Sequence, residues 1–341
     1  MPAPGAPDVV AAGTLDVVTV VYGDEIPLLR LQARSIARFL EPEGIGAIQV
    51  IVNDREEAAC LAAARALAAD YGPFAGRVEV LRPDDLFALR PAGLGARGLR
   101  ARARAAFTAH RRLYPFGVKG GWRGNRGWAV QQALKLAVAR RGTGAHVLIL
   151  DTKNHFIRPV SRATFVAPDG RARARLAKPS PKHLRWKGIS FRRLGLPPQG
   201  PEALALPTLT PFVLSRADLR ASLEAVEARV GPVETFFARK RTEESEFALI
   251  NAVLASRPGG LEAAFAPGLP PAATLWPEQG EAETDDLLAS VERGEAQVLS
   301  VHGRRLGRLT ERQRARLGAI WDAAGLDARE ILAADAARQP V

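Results

Sequence analysis

The sequence contains a single cysteine, Cys60, in 341 residues. No intrachain disulfide can form, and a reducing compartment is the simpler setting. Nowhere does the chain reach the roughly eighteen uninterrupted apolar residues of a membrane span. The N-terminus lacks a basic segment followed by an apolar one, so no secretory signal is expected. The first strand-to-helix junction does not spell GxGxxG, and GxxxxGK[ST] does not occur, which excludes the dinucleotide fingerprint and the P-loop. No Ser/His/Asp set and no Cys-rich zinc pattern stands out.

Lysine is also scarce: only 7 of the 48 basic residues are lysines. Richness in Arg, Ala, Gly and Pro matches a GC-rich genome, so the net charge of +12 says little by itself. Its distribution says more. From Leu86 to Pro201 there are 25 Lys and Arg against two acids, Asp151 and Asp169, while the rest of the chain holds 23 basic and 34 acidic residues. A strongly basic middle between acidic ends points to a polyanionic partner, unless those arginines pair with the acidic flanks in the fold.

An apolar content of 47% suits a globular core, and 341 residues are enough for one large α/β domain or two small ones. Residues 1–14 read as a disordered leader, 15–326 as a single domain and 327–341 as a C-terminal tail. Leu15–Tyr22 is a β-branched run and reads as the first strand, and Pro27 opens a helix. Ala47–Val52 is a second strand, Glu56–Tyr71 an alanine-rich helix and Val78–Leu81 a third strand. This alternation is the βαβ pattern of a parallel sheet. Tyr22, Asp24, Asn53 and Asp54 then share one sheet edge, where open α/β sheets bind ligands.

Arg90–Arg112 reads as basic, loop-like at first and then helical over Gly98–Arg112, either a solvated amphipathic helix or an arm over phosphates or a membrane surface. Glycines 120, 121, 124 and 127 lead into a helix over Trp128–Arg141. There Trp128, Gln131, Gln132 and Lys135 fall on one face, as a polar pocket wall would. Val147–Asp151 is a buried strand, and its C-terminal carboxylate is followed by Thr152, Lys153, Asn154 and His155. Pro168, Asp169 and Gly170 mark a β-hairpin within Thr164–Leu176, and Lys178–Gly200 reads as a long basic loop. An edge strand over Leu209–Leu214 and a helix capped by Ser215 follow. Thr242 caps a helix through Ser256, with Glu243, Glu244 and Glu246 in its first turn. Gln297–Val301 is a last strand ending in His302, and Leu309–Ala324 a closing helix.

The strand ending in LDTKNHFIRP, the preceding GW…WxxQQxLKL helix, the SEF within TEESEF, and VLSVH followed by basic residues together resemble the DUF6492 group of bacterial proteins. That group is similar to GT-A-fold glycosyltransferases. The resemblance spans about Leu15 to Leu326. It implies a GT-A-like, Rossmann-like mixed α/β fold, with a mainly parallel central sheet flanked by helices and the hairpin and basic loop after the DxD-like strand. It also implies a nucleotide-sugar donor bound at the sheet edge by Tyr22, Asp24, Asn53, Asp54, Trp128, Gln131, Gln132, Lys135, Asp151, Lys153 and Asn154. In GT-A enzymes a DxD acid pair and a late histidine hold Mn²⁺ or Mg²⁺. Asp151 matches the first acid and His302 the histidine, but Lys153 stands where the second acid belongs. One carboxylate and one imidazole are a poor set for a cation that prefers oxygen ligands, and a lysine can neutralise a leaving diphosphate itself. For an inverting transfer, Glu246 is the first candidate base and Glu244 the second.

The expected function is a glycosyltransferase of bacterial polysaccharide biosynthesis, acting on a cell-envelope or capsular glycan or a phosphorylated acceptor. The alternative is a non-catalytic protein on the same fold that binds a nucleotide sugar or a polyanion. Nucleic acid is the weaker choice of partner, because no helix-turn-helix or RRM signature occurs. The expected location is the cytoplasm, with peripheral contact at an anionic inner membrane as the variant.

Overall fold

The computed structural model describes residues 11–87, 126–237 and 244–336. Among the described residues, ten strands order into three sheets. The largest has the order β3-β2-β1-β4-β7, built from Ala11–Val21 (β1), Ile45–Val52 (β2), Val78–Leu81 (β3), Gly144–Asp151 (β4) and Phe212–Ser215 (β7). β1 to β4 run parallel and β7 runs antiparallel at the edge of β4. The central strands are apolar almost throughout because both sheet faces are covered. The chain is therefore mixed α/β, with a mainly parallel central sheet flanked by helices.

The helices are Ile26–Phe39 (α1), Glu57–Ala66 (α2), Arg126–Ala137 (α3), Pro181–Leu194 (α4), Arg216–Val230 (α5), Glu246–Ala255 (α6), Glu281–Glu292 (α7), Glu311–Ala323 (α8) and Arg329–Ala336 (α9), with shorter helical turns between them. Pro27 lies in the first turn of α1, and Ser215 Oγ accepts a hydrogen bond from Asp218 N at the start of α5. Both follow from the local signals.

A second sheet has the order β5-β10-β9, from Asn154–Phe156 (β5), Ala272–Leu275 (β9) and Val298–Val301 (β10). β10 pairs antiparallel with β5 and parallel with β9. It has its own apolar core, with Leu288, Leu299, Leu317 and Trp321 at its centre. Ala172–Arg173 (β6) and Phe265–Ala266 (β8) form a short parallel pair.

Several expectations need correction. β1 begins at Ala11 rather than Leu15, so the described part of the supposed leader is strand. The supposed tail holds α9, whose Glu330 pairs with Arg30 of α1. The Lys178–Gly200 stretch is not a loop but contains α4. Its buried face carries Lys187 and Ser190 beside Phe191 and Leu194, which hides the apolar period. Its end signals were present: Pro181 in the first turn, and Gly195 with φ +67 closing the helix. The hairpin is only a turn. Gly170 N donates to Ala167 O and one antiparallel bridge joins Val166 to Ala172, but β6 then pairs with β8. α6 is capped by Ser245, whose Oγ accepts from Ala248 N. Thr242, Glu243, Arg90–Arg112 and glycines 120, 121 and 124 lie outside the described residues.

Candidate functional site

The chain leaves the central sheet at Asp151 and enters the second sheet at Asn154, so Thr152 and Lys153 are the whole link between β4 and β5. The turn is pinned from three sides. Asp151 N donates to Asn154 Oδ1 at 2.7 Å. Gln32 of α1 donates from Nε2 to the carbonyls of Asp151 (2.7 Å) and Asn154 (3.1 Å), and its own Oε1 accepts from Thr19 of β1 at 2.8 Å. Asn154 Nδ2 donates to Ser300 Oγ of β10 at 2.7 Å. Asn154 is buried and spends its amide on this framework, so it holds the turn rather than offering itself to a donor.

The Asp151 carboxylate is engaged at both oxygens. Oδ1 accepts from Lys135 Nζ at 2.8 Å and from Gln131 Nε2 at 3.2 Å. Oδ2 accepts from Lys153 Nζ at 2.5 Å and from Thr210 Oγ1 at 2.9 Å. Burial works against the ionised form, yet Lys135 and Lys153 overcome it and hold Asp151 well below the usual carboxylate range. Lys135 also lies 3.3 Å from Glu246 Oε1, so one ammonium bridges two carboxylates. Burial would strip its proton, but Asp151 and Glu246 raise its pKa above the ordinary value. Glu246 is pushed up, by burial first, against Lys135, with the Asp151 charge adding to the rise.

The helical stripe divides its work. Gln131 and Lys135 reach Asp151, while Gln132 Oε1 accepts from Glu246 N at 3.3 Å. Gln132 and Lys135 are both buried. Trp128 packs instead against Trp186 of α4, ring centroids 5.9 Å apart. Glu244 is buried and pairs with Arg193 Nε at 2.6 Å.

At the neighbouring strand ends, Asn53 Nδ2 donates to Gly127 O at 2.8 Å, and Asp54 Oδ2 accepts from Gly23 N at 2.6 Å. These bonds tie the ends of β1 and β2 to each other and to α3. Burial, then Glu25 and Asp24, pushes the Tyr22 phenol up. Glu25 was not singled out from the sequence. It is half-buried, accepts from Thr152 Oγ1 at 2.6 Å, and burial lifts its pKa to about 7, with Asp151 adding to the rise and Thr152 and Lys153 opposing it.

On the second sheet, Lys153 Nζ stands 5.2 Å from the centroid of the Trp276 ring, and Trp276 packs against His302 with centroids 6.2 Å apart. His302 Nδ1 accepts from Arg304 N at 3.2 Å, capping the short helix Gly303–Leu306. Burial, Lys153 and Arg304 lower its pKa to about 4, so the ring is neutral at pH 7. Trp276, Thr210 and Glu25 carry no local motif. Each follows a strand end or precedes one, which was the one usable signal.

The residues present do not fit a divalent cation at Asp151. Both oxygens are filled, two of the donors are ammonium groups, and the second acid beside them, Glu246, is itself paired with Lys135. Among the described residues, no group of three or more His, Cys, Asp or Glu side chains is placed to hold a metal ion. Nor, among these residues, is any helix long and apolar enough to cross a membrane.

No curated protein sequence matches this chain. Solved structures similar to it include two of low identity. One is the WbbM bifunctional glycosyltransferase, at 12% identity and a TM-score of 0.47, covering 98% of this chain and 53% of that one. The chain thus spans about half the length of that protein. The other is mouse xyloside xylosyltransferase 1, at 14% identity and a TM-score of 0.40, covering 84% of this chain and 97% of that one. The sequence profile of DUF6492, a family of unknown function, matches residues 14–273, and the chain belongs to that family.

Proposed function

We propose that this protein is a glycosyltransferase that moves a sugar from a nucleotide-sugar donor to a glycan of the cell envelope or capsule. One observation carries the reading. A carboxylate at the C-terminal end of a central parallel strand is paired with two lysines, one of which bridges to a carboxylate on a separate helix. The end of such a strand is where open α/β sheets bind ligands. The lysines suit a diphosphate, and Glu246, a carboxylate whose pKa is raised by burial, suits the role of general base.

In an inverting transfer the acceptor hydroxyl oxygen bonds to the anomeric carbon while the carbon–oxygen bond to the diphosphate breaks. That electron pair leaves with the diphosphate, and the hydroxyl proton passes to Glu246. Glu246 is only 2% exposed, so an acceptor hydroxyl reaches it only if the side chains that cover it move aside. Glu244, held by Arg193, is the second candidate base.

A thermal-shift screen of UDP, GDP, CMP and their sugars tests the reading, because a ligand that binds only the folded chain raises its melting temperature. A shift with one nucleotide supports it and names the donor class. With that donor in hand, Glu246→Gln is expected to lower turnover by about 10²–10⁴-fold and leave donor binding in place. Full turnover by that variant would remove Glu246 as the base. The engaged state of both Asp151 oxygens favours a second reading, a non-catalytic binding protein on the same fold. It would prevail if no nucleotide sugar were turned over while a polyanion or an anionic vesicle bound.

A further inference from the structure

We infer that this site binds the donor's diphosphate without a divalent cation: Lys153 supplies the positive charge, and Asp151 acts as the lysine's anchor rather than as a metal ligand. The inference rests on the glycosyltransferase reading and deepens it.

The donor set is the first argument. An ionised carboxylate offers about four lone-pair sites. At Asp151 four donors take them: Lys135 and Gln131 on Oδ1, Lys153 and Thr210 on Oδ2. A metal ion would have to displace one of these donors and then lie beside the remaining ammonium charge. Mg²⁺ and Mn²⁺ favour oxygen-rich shells, and the residue two positions on, Lys153, offers a cation instead of an oxygen. His302 gives no compensation, since its Nδ1 is already used by the Arg304 amide.

The placement of Lys153 is the second argument. Its ammonium is held from two directions, by Asp151 Oδ2 at 2.5 Å and by the Trp276 ring face at 5.2 Å. The turn that carries it is pinned by Gln32 and Asn154, so the charge is in position before any ligand arrives. A preorganised cation needs no rearrangement when charge develops on a leaving group. The side chains of Lys153 and Asp151 remain 15% and 17% exposed, whereas that of Lys135 is 4% exposed. Lys153 is therefore the ammonium a ligand can touch, and Lys135 is a positioning residue. It neutralises the far oxygen of Asp151, so Lys153 is not fully cancelled by its anchor. Arg304, exposed beside His302, is a further cation on the same side.

Calorimetric titration of the full chain with UDP and with GDP, once in EDTA and once in Mn²⁺, tests the inference. The expected result is that one of the two binds with the same affinity in both buffers. Lys153→Ala is expected to weaken that binding by about tenfold or more, and Lys153→Arg to keep most of it. Circular dichroism melts of both variants show whether they are folded. If Lys153→Ala does not fold, the wild-type comparison of EDTA with Mn²⁺ still decides. Binding that requires Mn²⁺, or a folded Lys153→Ala that binds like the wild type, would overturn the inference and leave the transferase reading intact. Failure of both nucleotides in both buffers, with no other nucleotide active in the thermal screen, would overturn the two together.

Discussion

Lys135 carries more of this site than its exposure suggests. A lone ammonium at 4% exposure would lose its proton, and only two carboxylates keep it charged. Glu25 shows the opposite balance. Burial raises its pKa from 4.5 to about 7, so the folded state holds a proton there that the unfolded chain has released. Between pH 4.5 and 7 the native state thus binds more protons, and stability from this group falls as pH rises through that window. Replacing Glu25 with Gln removes the contribution. The wild type is expected to lose stability relative to Glu25→Gln as pH rises from about 5 to about 7, read as urea midpoints across that range. Parallel profiles would show that Glu25 titrates normally. From the sequence, Asp151 and Lys153 could be read as a pair, since they are two residues apart at a strand end. Glu25 could not, because its environment is set by Thr152 and Asp151, more than a hundred positions away.

At the scale of elements, β1 carries one acid in an otherwise apolar run. Asp16 is buried, and it accepts from Arg216 Nη2 of α5 at 2.6 Å, from Ala47 N at 2.9 Å and from Gly144 N at 3.0 Å. Position 144 must be glycine for this arrangement, because a Cβ there would stand 2.7 Å from the Asp16 carboxylate. Arg216 in turn donates to the carbonyls of Gly144 and Val138. The pair thus ties β1, β4 and α5 together, away from the candidate site. Removing one partner leaves the other buried and uncompensated. Arg216→Met is expected to cost about 3–5 kcal/mol, measured by denaturant unfolding. A cost below 1 kcal/mol would show that water reaches Asp16 in the variant. Most elements of the central sheet were legible in the sequence, because their apolar runs and caps are local. α4 was not, since Lys187 donates to Ala203 O at 3.2 Å and so is buried where the helical period calls for an apolar residue.

For the whole molecule, the second core decides whether the two sides of the site meet. Trp321 is fully buried within it, and its ring meets that of His155 edge-on at 5.7 Å. β10 and β9, which are followed directly by His302 and Trp276, share this core through Leu275, Leu299 and Val301. Trp321→Ala is expected to destabilise the protein by about 3–5 kcal/mol in thermal or denaturant unfolding. If the sheets unfold separately, the same variant should split the transition into two steps.

The sequence by itself determined the alternating strands and helices of the first half, the Asp151 turn, and the face shared by Gln131 and Lys135. Each of these is written in spacings of two to seven residues, the range over which strand and helix periods operate. Only the tertiary structure decided that Lys135 joins Asp151 to Glu246, that Thr210 reaches Asp151 from 59 positions away, and that Asn154 finds Ser300 across 146 positions. The physical reason is that such partners are chosen by which buried groups need neutralising once the core has closed, and no local period records that need.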